Sequence, residues 1–283
     1  MIDSQKIDSN KITIIGSGET GISAALLAAK NGKKVFLSEL NTEKIDDITK
    51  DNLISKNIEF EIGEHSEKVF DSNLWVLSPG VPSDLDFILK AKEMGILVIS
   101  EIEFASWYTK KPIIGITGSN GKTTTVNLIQ KILKSSHLDP VLAGNVGYAF
   151  SRAILSDQND EPKERVYILE LSSFQLETLS DLKLNIGVWL NFTPTHEERY
   201  KNVSDYFLAK SKIFNLSCKK IVGPSFKVAS SDSKFESKDL ECPQKSELDN
   251  LSLKNWRLKG EHNIENLMVA VFIAKQLGLN DQQ

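Results

Sequence analysis

The chain has few cysteines, no excess of basic charge and no long apolar run. Its two cysteines, Cys218 and Cys242, lie 24 positions apart in 283 residues. That spacing offers neither a disulfide framework nor a metal-binding pair, so both read as incidental thiols and a reducing cytoplasm is the expected setting. The formal net charge of −4 gives no electrostatic case for a nucleic-acid partner. No stretch approaches the roughly 18 consecutive apolar residues of a membrane span. The polar opening Met1–Lys6 predicts no signal peptide. There is no internal repeat. What is present is an ordinary globular composition, 40% hydrophobic and 25% charged, at a length comfortable for two domains.

Short β-branched runs alternate with helical ones, which predicts parallel sheets and an α/β fold. In the first part, strands are expected at Lys11–Ile15, Lys33–Ser38, Leu74–Ser78 and Ile96–Ile99, and a helix at Leu85–Met94. A helix after Gly21 carries Ile22, Ala25, Leu26 and Ala29 on one face and stops at Asn31-Gly32. This Rossmann-like domain is expected to span residues 1–109. A second α/β domain, residues 110–283, has strands at Ile113–Thr117, Val166–Glu170 and Ile186–Asn191 and a closing helix at Asn263–Leu277. Ser225–Asn250 is polar and poor in apolar residues, and reads as an exposed excursion.

The segment Ile116-Thr-Gly-Ser-Asn-Gly-Lys-Thr-Thr-Thr125 follows a strand and opens an amphipathic helix with Val126, Ile129, Ile132 and Leu133. Strand, Gly-rich turn, Lys-Thr and helix together make a phosphate-binding loop. Gly118 and Gly121 let the backbone N–H groups of Ser119 to Thr124 turn towards phosphate oxygens, and the helix N-terminus adds partial positive charge. Lys122 can neutralise the terminal phosphates and the Thr123 hydroxyl can hold Mg²⁺, which predicts an ATP site. A strict Walker A sequence has Gly where this chain has Ile116, so the motif is the variant Gly-x-x-Gly-Lys-Thr.

In the first domain, Gly16-x-Gly18-x-x-Gly21 lies between a strand and a helix, with the acidic Glu39 ending the next strand. That is the dinucleotide fingerprint. The same geometry accepts any nucleotide diphosphate, a UDP-sugar included, and the downstream phosphate loop argues against a dehydrogenase. Ser78-Pro79-Gly80 is a tight turn at a strand's C-terminal end, where open α/β sheets bind ligands.

Four further segments end strands or open helices in the second domain. They are Gly144-Asn145-Val-Gly147, Glu170-Leu-Ser-Ser-Phe-Gln-Leu-Glu177, Asn191-Phe-Thr-Pro-Thr-His196 and Gly260-Glu-His-Asn263. Singly each is weak, although Glu170 at a strand end suits a hard cation. In this order behind a phosphate loop, the chain resembles the Mur ligases of bacterial peptidoglycan synthesis. Its Glu170–Glu177 segment is similar to that of the members that add D-glutamate.

The resemblance implies ATP-dependent joining of D-glutamate to UDP-N-acetylmuramoyl-L-alanine by a monomer, through an acyl-phosphate. It assigns Gly18, Glu19, Thr20, Glu39, Ser78 and Gly80 to the uridine diphosphate. Asn145, Ser173 and Gln175 would contact the UDP-sugar, and Asn263 the adenine. Thr123 and Glu170 would hold one Mg²⁺. His196 and Lys210, the latter converted by CO₂ to a carbamate, would hold a second. Ala209-Lys210 has the family's context, 14 residues after His196. Without the resemblance Lys210 reads as an exposed helix lysine. There are departures: the family carries Asp on either side of its metal-site His, where this chain has Thr195 and Glu198. The family also has a C-terminal α/β domain, absent from a chain that stops at Gln283. A UDP-sugar and ATP binder without turnover, and a ligase like folylpolyglutamate synthase, are the alternative expectations. The first domain argues against the latter.

Overall fold

In the computed structural model the described residues are 10–158, 164–193, 200, 202–226, 239–251 and 256–280. The chain divides into two compact units. The first comprises Met1–Thr109, Tyr148–Glu161 and Thr178–Leu182; the second comprises Lys110–Gly147, Pro162–Glu177 and Lys183–Gln283.

The first unit is built on five parallel strands, β1 (Lys11–Ile15), β2 (Lys34–Glu39), β3 (Glu59–Ile62), β4 (Leu74–Leu77) and β5 (Leu97–Ser100), in the order β3-β2-β1-β4-β5. The central strand β1 buries Ile12, Thr13, Ile14 and Ile15, the near-continuous burial of a parallel strand covered on both faces. Strand order reverses between β1 and β4. The turn after β1 and the turn after β4 therefore meet where such sheets bind ligands.

Helices Glu101–Ser106 and Phe150–Asp157 also belong to this unit. The buried Glu101 carboxylate accepts the backbone N–H of Ser151, capping the second helix from outside it. Glu103, equally buried, accepts the N–H groups of Ser180, Asp181 and Leu182 at 3.1, 2.9 and 3.3 Å. Two carboxylates on one short helix thus tie both excursions of the chain, Tyr148–Glu161 and Thr178–Leu182, into the first unit.

The second unit holds a six-stranded parallel sheet: β6 (Ile113–Thr117), β7 (Asp139–Gly144), β8 (Arg165–Glu170), β9 (Leu184–Trp189), β10 (Ser217–Val222) and β11 (Leu240–Glu241), in the order β11-β10-β9-β6-β8-β7. Helices Lys122–Leu133 and Glu261–Gln276 contribute Val126, Ile129, Leu133, Val269, Ala270 and Ile273 to a core shared with Ile114, Ile116, Ile168 and Val188 of the sheet. The apolar positions expected on the helix after the phosphate loop thus face the sheet.

Several elements are missing from the sequence reading. Strand β7 contains Pro140, which argues against a strand; it lies at the sheet edge, where a missing N–H is tolerated. The lysines of β10 mask its pattern. Ser225–Asn250 is less of an excursion than expected: β11 pairs with β10, and Leu248 packs on Leu267, Met268 and Val271. No described helix is long and apolar enough to cross a membrane.

Candidate active site

The phosphate loop leaves β6 at Thr117 and enters the helix at Lys122. Gly121 precedes the helix with φ +81°, a left-handed conformation that favours glycine, and a Cβ there would stand 2.7 Å from Asn266 Oδ1. The first helical bond is Thr125 N–H to Gly121 O at 2.9 Å. The N–H groups of Lys122, Thr123 and Thr124 precede it and have no intrahelical acceptor, as at any helix start.

Around this helix start five side chains converge. The Thr123 hydroxyl donates to Glu170 Oε2 at 2.9 Å, and Asn145 Nδ2 donates to Glu170 Oε1 at 2.9 Å. Glu170 ends β8 and is 2% exposed. The Lys122 ammonium folds back on Gly118 O and Ser119 O at 2.9 and 3.1 Å. Lys210 Nζ reaches the same Gly118 O at 3.0 Å and lies 4.8 Å from the centre of the Tyr206 ring. Lys210 is 2% exposed, so its reading as a surface lysine fails. Burial, reinforced by the charge of Lys122, brings its pKa down to about 7. Lys122 is also lowered by burial, against the pull of Glu170.

A divalent cation fits part of this set. A hydroxyl and a carboxylate in direct contact are the oxygen ligands that Mg²⁺ takes, with Asn145 holding the carboxylate in place. No cluster of three or more His, Cys, Asp or Glu occurs among the described residues. As an amine, Lys210 is a donor and not an oxygen ligand. His196 lies outside the described residues, as do Thr195 and Glu198.

Beside the loop is a cleft of about 450 Å³, lined by Asn120, Gly121, Asn191, Thr193, His262, Glu265 and Asn266 among others. Asn263 is not among its lining residues; its Nδ2 donates to Lys259 O at 2.7 Å. Asn266, three residues on, is buried against Gly121 and was missed in the sequence. A helical i+3 step from Asn263 was the available signal. Ser173 is buried at the start of the helix after β8. Gln175 Oε1 accepts from Ser172 N and Oγ at 2.9 and 3.0 Å.

The first unit carries its own constellation. Gly16 takes φ +93° and donates to Ser38 O at 2.9 Å. A Cβ on Gly21 would lie 1.9 Å from Gly16 O, so the third glycine lets helix and turn touch. Ser78 stands across the turn, its N–H on Ile15 O at 3.0 Å and its hydroxyl on Gly16 O at 3.1 Å. Glu39 turns both oxygens to the backbone: Oε2 takes Ser17 N and Oγ at 2.7 and 2.8 Å, and Oε1 takes Asn41 N at 2.8 Å. Burial would raise its pKa, but these bonds outweigh it and hold the carboxyl below its usual value. Glu19 is exposed and paired with Arg152 at 3.0 Å, and Thr20 is half-buried beside it. Nothing lies within 4 Å of a Cβ built on Gly18 or Gly80, which leaves open space over both.

These two parallel sheets, one ending in a phosphate loop and the other in a dinucleotide-type turn, define a nucleotide-binding α/β protein. Residues 11–87 match the MurD N-terminal domain model and residues 116–237 the Mur ligase middle domain model. The chain belongs to the Mur ligase family. UDP-N-acetylmuramoylalanine–D-glutamate ligases are similar to it in sequence. That of Christiangramia forsetii is 44% identical over 205 residues, 72% of this chain and 44% of that protein. That of Bacteroides thetaiotaomicron is 43% identical over 205 residues, 72% and 45% of the two chains. That of Nostoc punctiforme is 31% identical over 327 residues, 96% and 66%. The chain spans about half the length of the first two.

Among solved structures, the UDP-N-acetylmuramate:L-alanyl-gamma-D-glutamyl-meso-diaminopimelate ligase from Neisseria meningitides has a TM-score of 0.62 at 14% identity, covering 96% of this chain and 94% of that one. The UDP-N-acetylmuramate-alanine ligase from Thermotoga maritima has a TM-score of 0.52 at 20% identity, covering 95% and 66%. Both share the fold.

Proposed function

We propose that this chain carries the UDP-sugar-binding and ATP-binding parts of a ligase that joins D-glutamate to UDP-N-acetylmuramoyl-L-alanine, acting as a monomer in the cytoplasm. The observation that carries the reading is the phosphate loop whose Thr123 hydroxyl meets the Glu170 carboxylate at 2.9 Å, with Lys122 and Lys210 both on Gly118 O. The sequence similarity to D-glutamate ligases supports D-glutamate as the amino acid. Two exposed free thiols, Cys218 and Cys242, suit a reducing compartment.

In this reading the first-turn N–H groups of Lys122, Thr123 and Thr124 bind the phosphate oxygens of ATP, and Lys122 leaves its carbonyl partners to pair with them. The cleft beside Asn191, Thr193 and Asn266 takes the nucleoside, and Asn263 stands at the start of the same helix. Thr123 and Glu170 would hold Mg²⁺, which would offset negative charge on the transferring phosphoryl group. A carbamate on Lys210, with His196, which lies outside the described residues, would serve a second ion. A carboxylate oxygen of the UDP-sugar accepts the γ-phosphoryl group as its bond to ADP breaks. The amine of D-glutamate then attacks the acyl carbon, loses a proton and displaces phosphate. Lys122, positioned at the helix start, stabilises the charge that develops. In the first unit, the space over Gly18 and Gly80 and the free N–H groups of Glu19 and Thr20 receive the diphosphate, with Ser78 and Glu39 shaping the turn. In the second unit, Asn145, Ser173 and Gln175 are the candidate substrate contacts.

Calorimetric titration with Mg·ATP tests the ATP half. Wild type should bind, and Lys122→Ala should bind at least about tenfold more weakly, since it loses a charge-assisted contact. In the complete enzyme the same substitution should abolish ADP production. Equal affinity in the two proteins would remove Lys122 from the site.

A further inference from the structure

Strand β9 runs beside β6 with Thr117 opposite Trp189. The pairing does not stop where the strands end. Leu190 N–H donates to Thr117 O at 2.9 Å, and Ser119 N–H donates to Asn191 O at 3.1 Å. The Asn191 side chain then grips one loop residue, Asn120, at both its N–H and its carbonyl. Its Oδ1 accepts the N–H of Asn120 at 2.9 Å, and its Nδ2 donates to Asn120 O at 3.1 Å. The backbone of Asn191 is itself pinned, because its carbonyl also accepts Trp189 Nε1 at 3.0 Å.

We propose that Asn191 is a positioning residue for the nucleotide: a two-point clamp on Asn120 that sets the phosphate loop before ATP arrives. The inference rests on reading the loop as an ATP site. Its physical basis is the partition of the loop's N–H groups. Those of Ser119 and Asn120 are held by Asn191, so the loop is fixed at both, and those of the first helical turn remain for phosphate. Immediately after the clamped residue comes Gly121 at φ +81°, where the chain must turn sharply to start the helix. A side chain with one donor and one acceptor on a short stem is required, which asparagine provides. Aspartate has the same shape but no donor, and its second oxygen would face Asn120 O. Preorganisation of this kind raises affinity by removing the cost of ordering the loop on binding.

The test compares wild type, Asn191→Ala and Asn191→Asp of this chain by titration with Mg·ATP and by amide hydrogen exchange without nucleotide. Each variant should bind ATP about tenfold more weakly. The Asp variant should be no better than Ala despite its matching shape. Exchange at Asn120 should rise at least about tenfold while β6 amides Ile114 to Ile116 stay protected. Wild-type affinity in both variants overturns the proposal, as does unchanged loop exchange. Should wild type itself fail to bind ATP while the variants' loop exchange rises, the ATP reading falls and the clamp stands.

Discussion

Lys122 and Lys210 aim their ammonium groups at one carbonyl, that of Gly118, from 2.9 and 3.0 Å. Two buried cations on one acceptor repel, and the more buried one gives way: the pKa of Lys210 falls to about 7 from burial and from Lys122. A substantial neutral fraction at physiological pH is what reaction with CO₂ needs, and the carbamate it would form reverses the local charge and supplies oxygen to a cation. On the proposed ligase reading, Lys210→Ala should therefore lose most activity and regain part of it with added short carboxylates such as acetate. Absence of rescue would count against the carbamate. From sequence alone Lys210 reads as a surface lysine, because nothing in the helix Val203–Asn215 reveals which neighbours bury it. Gly118, Gly121, Lys122 and Thr123 are legible because their chemistry lies within one contiguous segment. Asn191 and Asn266 are not, since each acts on the loop across a long sequence separation.

The helix Glu101–Ser106 shows the same dependence on tertiary context. Its sequence, Glu-Ile-Glu-Phe-Ala-Ser, announces a solvated acidic face, yet both carboxylates are buried and each serves a different segment of the first unit. Glu103 faces three N–H donors. Among the described residues Glu101 has only Ser151, through its N–H and the hydroxyl beside it. Burial first, with a smaller push from the charge of Glu19, raises the Glu101 pKa to about 7. Glu19 is itself paired with Arg152. The folded state therefore keeps a proton that the unfolded chain releases near pH 4.5, and stability must fall as pH rises from about 4.5 to about 7. Glutamine keeps the acceptor for Ser151 N–H and offers an NH₂ to Ser151 Oγ. Glu101→Gln should match wild type near pH 4, below the unfolded pKa, and exceed it by about 3 kcal/mol at pH 8 in denaturant unfolding. A constant difference across that range would show that Glu101 does not titrate there. Element types were largely legible where apolar runs were long, as in β1, β6 and the helix after the phosphate loop. They were illegible where an edge position excused Pro140 or where lysines masked β10.

At the scale of the molecule, the sequence carries two nucleotide motifs of different kinds, and the fold gives each its own sheet. The dinucleotide-type turn sits where strand order reverses between β1 and β4, and Ser78 closes on Gly16 there. Turn and sequence motif alone allow NAD as readily as UDP. The family relation and the phosphate loop on the second sheet favour UDP. Titration of the chain with UDP-N-acetylmuramoyl-L-alanine, with NAD as the control ligand, separates the two most directly. Saturable binding of the UDP-sugar and none of NAD is the expected result; binding of NAD without the UDP-sugar would contradict it.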